Sequence, residues 1–236
     1  MKTVVKYFIH AKTICYVLRS KRCSAATGKG TGKIQRQRSC CSGYPPGGAV
    51  TGYYVAVHLN AGFSLVISRK LGHPANPEYS FGAVAEDGTI HLNKHAMQEV
   101  SKEEIDTAVA QQKKEIERRI MILRKGEPLP VIKNKIVLIV DDGIATGATI
   151  FAAIKMCRKK EAAKIVVAAP VSGWEIIEEL KKDADEVVIP ETPLFYHAVS
   201  QAYESFETVT DDEAMELLQK WKKEKSTQKQ ELEAKK

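Results

Sequence analysis

Two rhythms of apolar residues alternate along this chain. Phe63–Ile67, Val137–Val140, Lys164–Pro170 and Glu186–Pro190 are short runs rich in aliphatic residues, and they predict strands buried in a sheet. Between them the apolar positions take helical spacing, at Val50–Leu59, Lys102–Lys125, a segment from Thr149, Trp174–Lys181 and Asp211–Trp221. In Lys102–Lys125 the period is carried by Ile105, Val109, Ile116, Ile120 and Leu123. Tyr79–Ala85 and Thr89–Leu92 flank Glu86-Asp-Gly and read as a β-hairpin able to act as a flexible cover. Glu127-Pro-Leu-Pro130 breaks the chain before the next strand. Strands alternating with helices predict an α/β fold, with a doubly wound, mainly parallel sheet and a small hairpin or hood. The Lys/Glu/Gln-rich tail 222–236 reads as a frayed helix or a disordered end.

Composition adds little until it is divided. A chain of 236 residues with 44% hydrophobic and 28% charged residues suits one globular unit. No apolar run approaches membrane-spanning length. The formal charge of +7 conceals a split. Residues 1–77 carry twelve Lys and Arg and no acid, whereas the remainder is net acidic. Cys15, Cys23, Cys40 and Cys41 also lie in the front segment, leaving only Cys157 in the body. That body suits a reducing cytoplasm, with no membrane or nucleic-acid partner expected.

The basic front, residues 1–42, resists assignment as part of the domain 43–221. A transit peptide and a basic arm both fit its composition. Lys12 interrupts the apolar stretch a secretory signal would need, and Cys40-Cys41 lacks zinc-site spacing. A further reading is that the segment is out of frame and poorly ordered. Permitted codons for Thr27–Pro45, read one nucleotide later, encode Leu-Glu-Arg-Val-Leu-Glu-Lys-Tyr-Arg-Asp-Lys-Glu-Ala-Val-Val-Leu-Ala-Ile-Pro. That is an amphipathic helix followed by a buried strand.

The densest chemistry lies in Val137-Leu-Ile-Val-Asp-Asp-Gly-Ile-Ala-Thr-Gly-Ala-Thr149. A buried strand ends in two carboxylates, then a small-residue loop opens a helix. Ligands of open α/β sheets gather at strand carboxyl ends. Unpaired amides and the positive end of a helix dipole suit a phosphate. Gly143 and Gly147 allow close backbone approach, and Thr146 and Thr149 add hydroxyl donors. Asp141 and Asp142 would repel phosphate, so they should face hydroxyls or a metal. Together these needs describe a phosphorylated pentose. An acidic strand end in a receiver-like domain is the simpler alternative, but it has no use for Thr-Gly-Ala-Thr.

These residues resemble the phosphoribosyl-pyrophosphate (PRPP) signature of type I phosphoribosyltransferases. The resemblance implies a sheet of the type I phosphoribosyltransferase kind. It implies that Asp141 and Asp142 hold the ribose hydroxyls, and Mg²⁺ through water. Gly143, Ile144, Ala145, Thr146, Gly147, Ala148 and Thr149 would then cradle the 5′-phosphate. Pro45-Pro46-Gly47-Gly48 precedes a helix and resembles the pyrophosphate loop Pro-Arg-Gly-Gly-Val of uncharacterised phosphoribosyltransferase-like proteins of archaea and bacteria. Here Gly47 and Gly48 would meet the anion, with Pro46 in place of the guanidinium. Alone, Pro-Pro-Gly-Gly is a plain turn. Arg69-Lys70 lies at the end of Phe63–Ile67, in a string resembling the same group, and both cations suit pyrophosphate; otherwise they are a solvated strand end.

Other residues keep two readings each. His73 and Glu78 sit in a Pro-rich loop as lid or turn residues. Arg118, Arg119, Arg124 and Lys125 form a solvated helix face, or one arginine closes over pyrophosphate. Phe195 or Tyr196 can stack on a base or serve in packing. Enzymes acting on 6-oxopurines carry an acid where this chain has Ala145, so no general base is legible there. The implied activity is transfer of 5-phosphoribosyl from Mg-PRPP to a nitrogenous base, in a possible homodimer. Its rivals are a PRPP- or nucleotide-sensing regulator without turnover, and a non-functional translation of a gene for an active enzyme.

Overall fold

The computed structural model describes residues 38–42, 47–73, 76–93, 100–204, 206 and 209–234. Five parallel strands form the main sheet: β1 (Arg38–Ser42), β2 (Gly62–Leu65), β6 (Ile136–Val140), β7 (Lys164–Ala168) and β8 (Glu186–Val188). Their order is β2-β1-β6-β7-β8. The chain therefore steps outward from β1 to β2, then returns to β1's other side with β6. That reversal leaves a crevice at the carboxyl ends of β1 and β6, where doubly wound sheets bind ligands. The expected strands are present, with Lys164–Pro170 and Glu186–Pro190 each two residues shorter at the carboxyl end.

Alternation along β6 explains why it is apolar throughout. Leu138 and Val140 join a core with α1 (Gly47–Leu59), α2 (Lys102–Arg124) and α5 (Asp211–Glu233). Val137 and Ile139 face the opposite way, into a core with α3 (Ala148–Lys159) and α4 (Trp174–Asp183). A strand covered on both faces has no side for polar residues. A small antiparallel sheet, β3 (Ser68–His73), β4 (Asn76–Ala85) and β5 (Ile90–Leu92), caps this body. β4 and β5 form the expected hairpin. β3 is an addition, because the chain turns after Leu65 and pairs Ser68 with Ala85.

Ahead of the expected boundary at 43, Arg38–Ser42 is a strand bonded on both sides. The expectations for residues 1–37 and for Pro46 lie outside the described residues. The charged tail is helical over 222–233, the helical one of its two readings, since α5 runs unbroken to Glu233. Thr210 and Glu213 form a reciprocal capping box at its start. Further along, Tyr53 donates to Glu224 at 3.1 Å and Lys222 pairs with Glu127, tying the charged half to the body.

Candidate active site

β6 ends at Val140, so Asp141 and Asp142 emerge at the crevice. α1 begins at Gly47 on the neighbouring connection, and the two turns are in tight contact. A Cβ on Gly47 would lie 1.6 Å from Asp142 Oδ2, and one on Gly48 would lie 2.6 Å from Asp141 Oδ1. Only glycine permits this approach. Both aspartates are 8% exposed, with the positive end of the α1 dipole beside them. Burial pushes both carboxyls above the usual range, and repulsion from Asp142 adds to the effect at Asp141. The Lys70 ammonium partly offsets it.

The backbone beneath the pair is firmly held. Asp141 N–H donates to Ala168 O at 3.1 Å and Ile144 N–H to Val171 O at 3.0 Å. The buried Ser172 hydroxyl donates to Ile144 O at 2.8 Å. Tyr203 reaches back from beyond β8 and donates to Asp142 O at 2.6 Å. Sequence reasoning missed Ser172 and Tyr203, since neither carries a local signal. The loop then rises through Ala145 and Thr146 to Gly147, whose φ of 72° is left-handed. No side chain caps α3 there. Its first amides are left for another acceptor, flanked by exposed Thr146 and half-buried Thr149.

The two cations expected to act together are separated. Arg69 and Lys70 are neighbours on β3, and adjacent strand residues point to opposite sides. Lys70 lies within electrostatic range of Asp141. Arg69 Nε instead donates to Gln112 Oε1 of α2 at 3.0 Å. The arginines of α2 are also engaged elsewhere. Arg118 and Arg119 pair with Glu115, at 2.7 and 3.2 Å. Arg124 is buried, bonding Glu86 at 2.9 Å and Leu65 O at 3.2 Å.

A cavity of about 880 Å³ opens beside the loop, bounded by Ala145, Thr146, His91, Trp174, Phe195 and Tyr196. Trp174 and Phe195 are 64% and 86% exposed. Phe195 also has a left-handed φ of 56°, a strained conformation for an aromatic residue. His91 stacks on Phe151, and burial pushes its pKa down to about 4.

A carboxylate pair, a glycine-opened helix and a loop leading into an uncapped helix meet at one switch point of the sheet. The phosphoribosyl transferase domain profile matches residues 45–204, and the chain belongs to that family. A solved protein from Thermus thermophilus, TT1426, is 34% identical, with a TM-score of 0.66 over 78% of this chain and 88% of its own. A Mycobacterium tuberculosis protein provisionally named phosphoribosyl transferase Rv0571c (strain H37Rv) is 38% identical over 178 residues, as is its counterpart MT0597 in strain CDC 1551. The match covers 75% of this chain but 40% of those relatives. Among the described residues no helix is long and apolar enough to cross a membrane.

Proposed function

We propose that the chain binds Mg-PRPP and transfers its 5-phosphoribosyl group to a nitrogenous base, releasing pyrophosphate. The observation that carries this reading is the placement of Asp141 and Asp142 between the α1 amino terminus and the uncapped start of α3. Asp141 and Asp142 would hold the ribose hydroxyls, with the 5′-phosphate on residues 143–149. The Gly47-Gly48 amides and Lys70 suit the pyrophosphate. The acceptor would occupy the 880 Å³ cavity, whose exposed rings suit a flat heterocycle.

Two buried carboxylates fit Mg²⁺, which takes one or two protein carboxylates and completes its shell with substrate oxygens and water. When bound, the ion neutralises pyrophosphate and acts as a Lewis acid. In the transfer, the acceptor nitrogen lone pair forms the bond to C1. The C1–O pair leaves with pyrophosphate, and an N–H proton passes to water. The protein contributes alignment and charge stabilisation of an oxocarbenium-like centre.

The test is pyrophosphate release from Mg-PRPP across a panel of purine and pyrimidine bases. Base-dependent release, abolished in Asp141→Asn/Asp142→Asn, is expected. A PRPP-sensing regulator is the second reading, favoured by Pro46 in place of a pyrophosphate-binding guanidinium. PRPP binding without release for any base would select it over transfer.

A further inference from the structure

Two tyrosine hydroxyls reach the Asp141-Asp142 turn from the segment beyond β8, and they differ in one respect. Tyr203 is satisfied, donating to Asp142 O at 2.6 Å. The Tyr196 hydroxyl is buried and has no hydrogen-bond partner. Native structures pair nearly all buried polar atoms, so an orphaned hydroxyl calls for a cause. Its position supplies one. It lies 3.0 Å from where a Cβ on Gly143 would stand, in the turn that follows the two carboxylates. Burial raises its pKa, and the Asp142 and Asp141 carboxylates raise it further, which places it within their field. The ring of the same residue forms a wall of the cavity beside Ala145 and Thr146. Its neighbour Phe195 holds a strained left-handed backbone, the kind of stored strain found where ligands are clamped.

We infer that the Tyr196 hydroxyl is a substrate-binding donor, completed only when the pentose of PRPP enters beside Asp141 and Asp142. This inference rests on the function proposed above. Tyr196 and Val199 pack closely over Gly143. An entering ribose displaces that contact and offers an oxygen to the hydroxyl, while the ring stays as a wall for the acceptor. One residue then senses both halves of the reaction: its oxygen meets the ribose and its ring faces the base.

The experiment is titration calorimetry of Mg-PRPP with the full chain, alongside thermal unfolding without ligand. Three proteins are compared: wild type, Tyr196→Phe and Tyr203→Phe. Tyr196→Phe keeps the ring and removes only the unpaired oxygen. It is expected to weaken Mg-PRPP binding roughly tenfold, the effect of one hydrogen bond. Its Tm should be unchanged or higher, because an unsatisfied buried group has been removed. Tyr203→Phe should lower Tm, because a made bond is lost. If wild type binds and Tyr196→Phe binds within twofold of it, the inference is overturned while the proposed function stands. A fall in Tm for Tyr196→Phe matching that of Tyr203→Phe would show a structural hydroxyl and overturn it equally. Wild type failing to bind Mg-PRPP would remove the proposed function and this inference together.

Discussion

Asp141 and Asp142 show most sharply how function is set against stability at single residues. Two carboxylates lie side by side in a buried turn, each raised by desolvation. Under the proposed function, that cost is offset when ribose hydroxyls and a cation bind the pair. Asp141→Asn keeps the oxygen that accepts from Asp142 N–H at 3.0 Å while removing a charge. The variant should therefore be more stable without ligand, by about 1 kcal/mol at neutral pH, and should bind Mg-PRPP at least tenfold more weakly. Unfolding in urea and calorimetry check the two halves. Unchanged stability would contradict the account of the pair as a strained acidic site. The acidic pair was evident from its neighbours in sequence. The need for glycine at 47 and 48 was not, because the atoms excluding a side chain belong to residues more than ninety positions away.

At the scale of elements, the clearest joint is that between α2 and the hood. Arg124 ends α2 and is 3% exposed, paired with Glu86 from the β4–β5 turn. Glu86 also accepts from Ile67 N–H at 3.1 Å, so one carboxylate ties the end of β2, the hood and α2 together. Burial raises the Glu86 carboxyl, against the pull of Arg124. Arg124→Met would leave that charge buried and unpaired, costing about 3–5 kcal/mol at neutral pH. A carboxyl whose folded pKa is raised favours folding below its unfolded pKa and loses that contribution as pH rises through the folded value. The deficit should therefore shrink as pH falls toward 4.5, which denaturant unfolding from pH 7.5 to 4.5 would reveal. A deficit independent of pH would assign the loss to packing instead. The sequence placed Arg124 in a basic helical cluster. Nothing local distinguished it from Arg118, because partner and burial both come from a turn 38 residues earlier.

For the whole molecule, the order of the sheet decides most. β1 lies between β2 and β6, bonded to both, with the sequence Arg-Ser-Cys-Cys-Ser. Central parallel strands are ordinarily runs of Val, Ile and Leu, because both faces are covered. The shifted reading of Thr27–Pro45 places Val-Val-Leu-Ala-Ile-Pro immediately ahead of Pro46. Resequencing the gene should find a single-base insertion or deletion near the codons for Pro45–Gly47. Correcting it should yield a chain that folds with higher Tm than this one. An intact frame across those codons would reject the idea.

β1 and β3 could not be read along the chain, whereas most strand and helix positions, the hairpin, the small-residue loop and the acidic turn could. Each depends on residues within about one turn or one strand of each other, and periodicity or a short run of small residues specifies it locally. The reversal of strand order, the packing of Gly47 against Asp142, the separation of Arg69 from Lys70 and the arrival of Tyr196 and Tyr203 at the site could not. They depend on which strands pair and which faces meet, and these follow from burying two apolar faces at once across the whole fold.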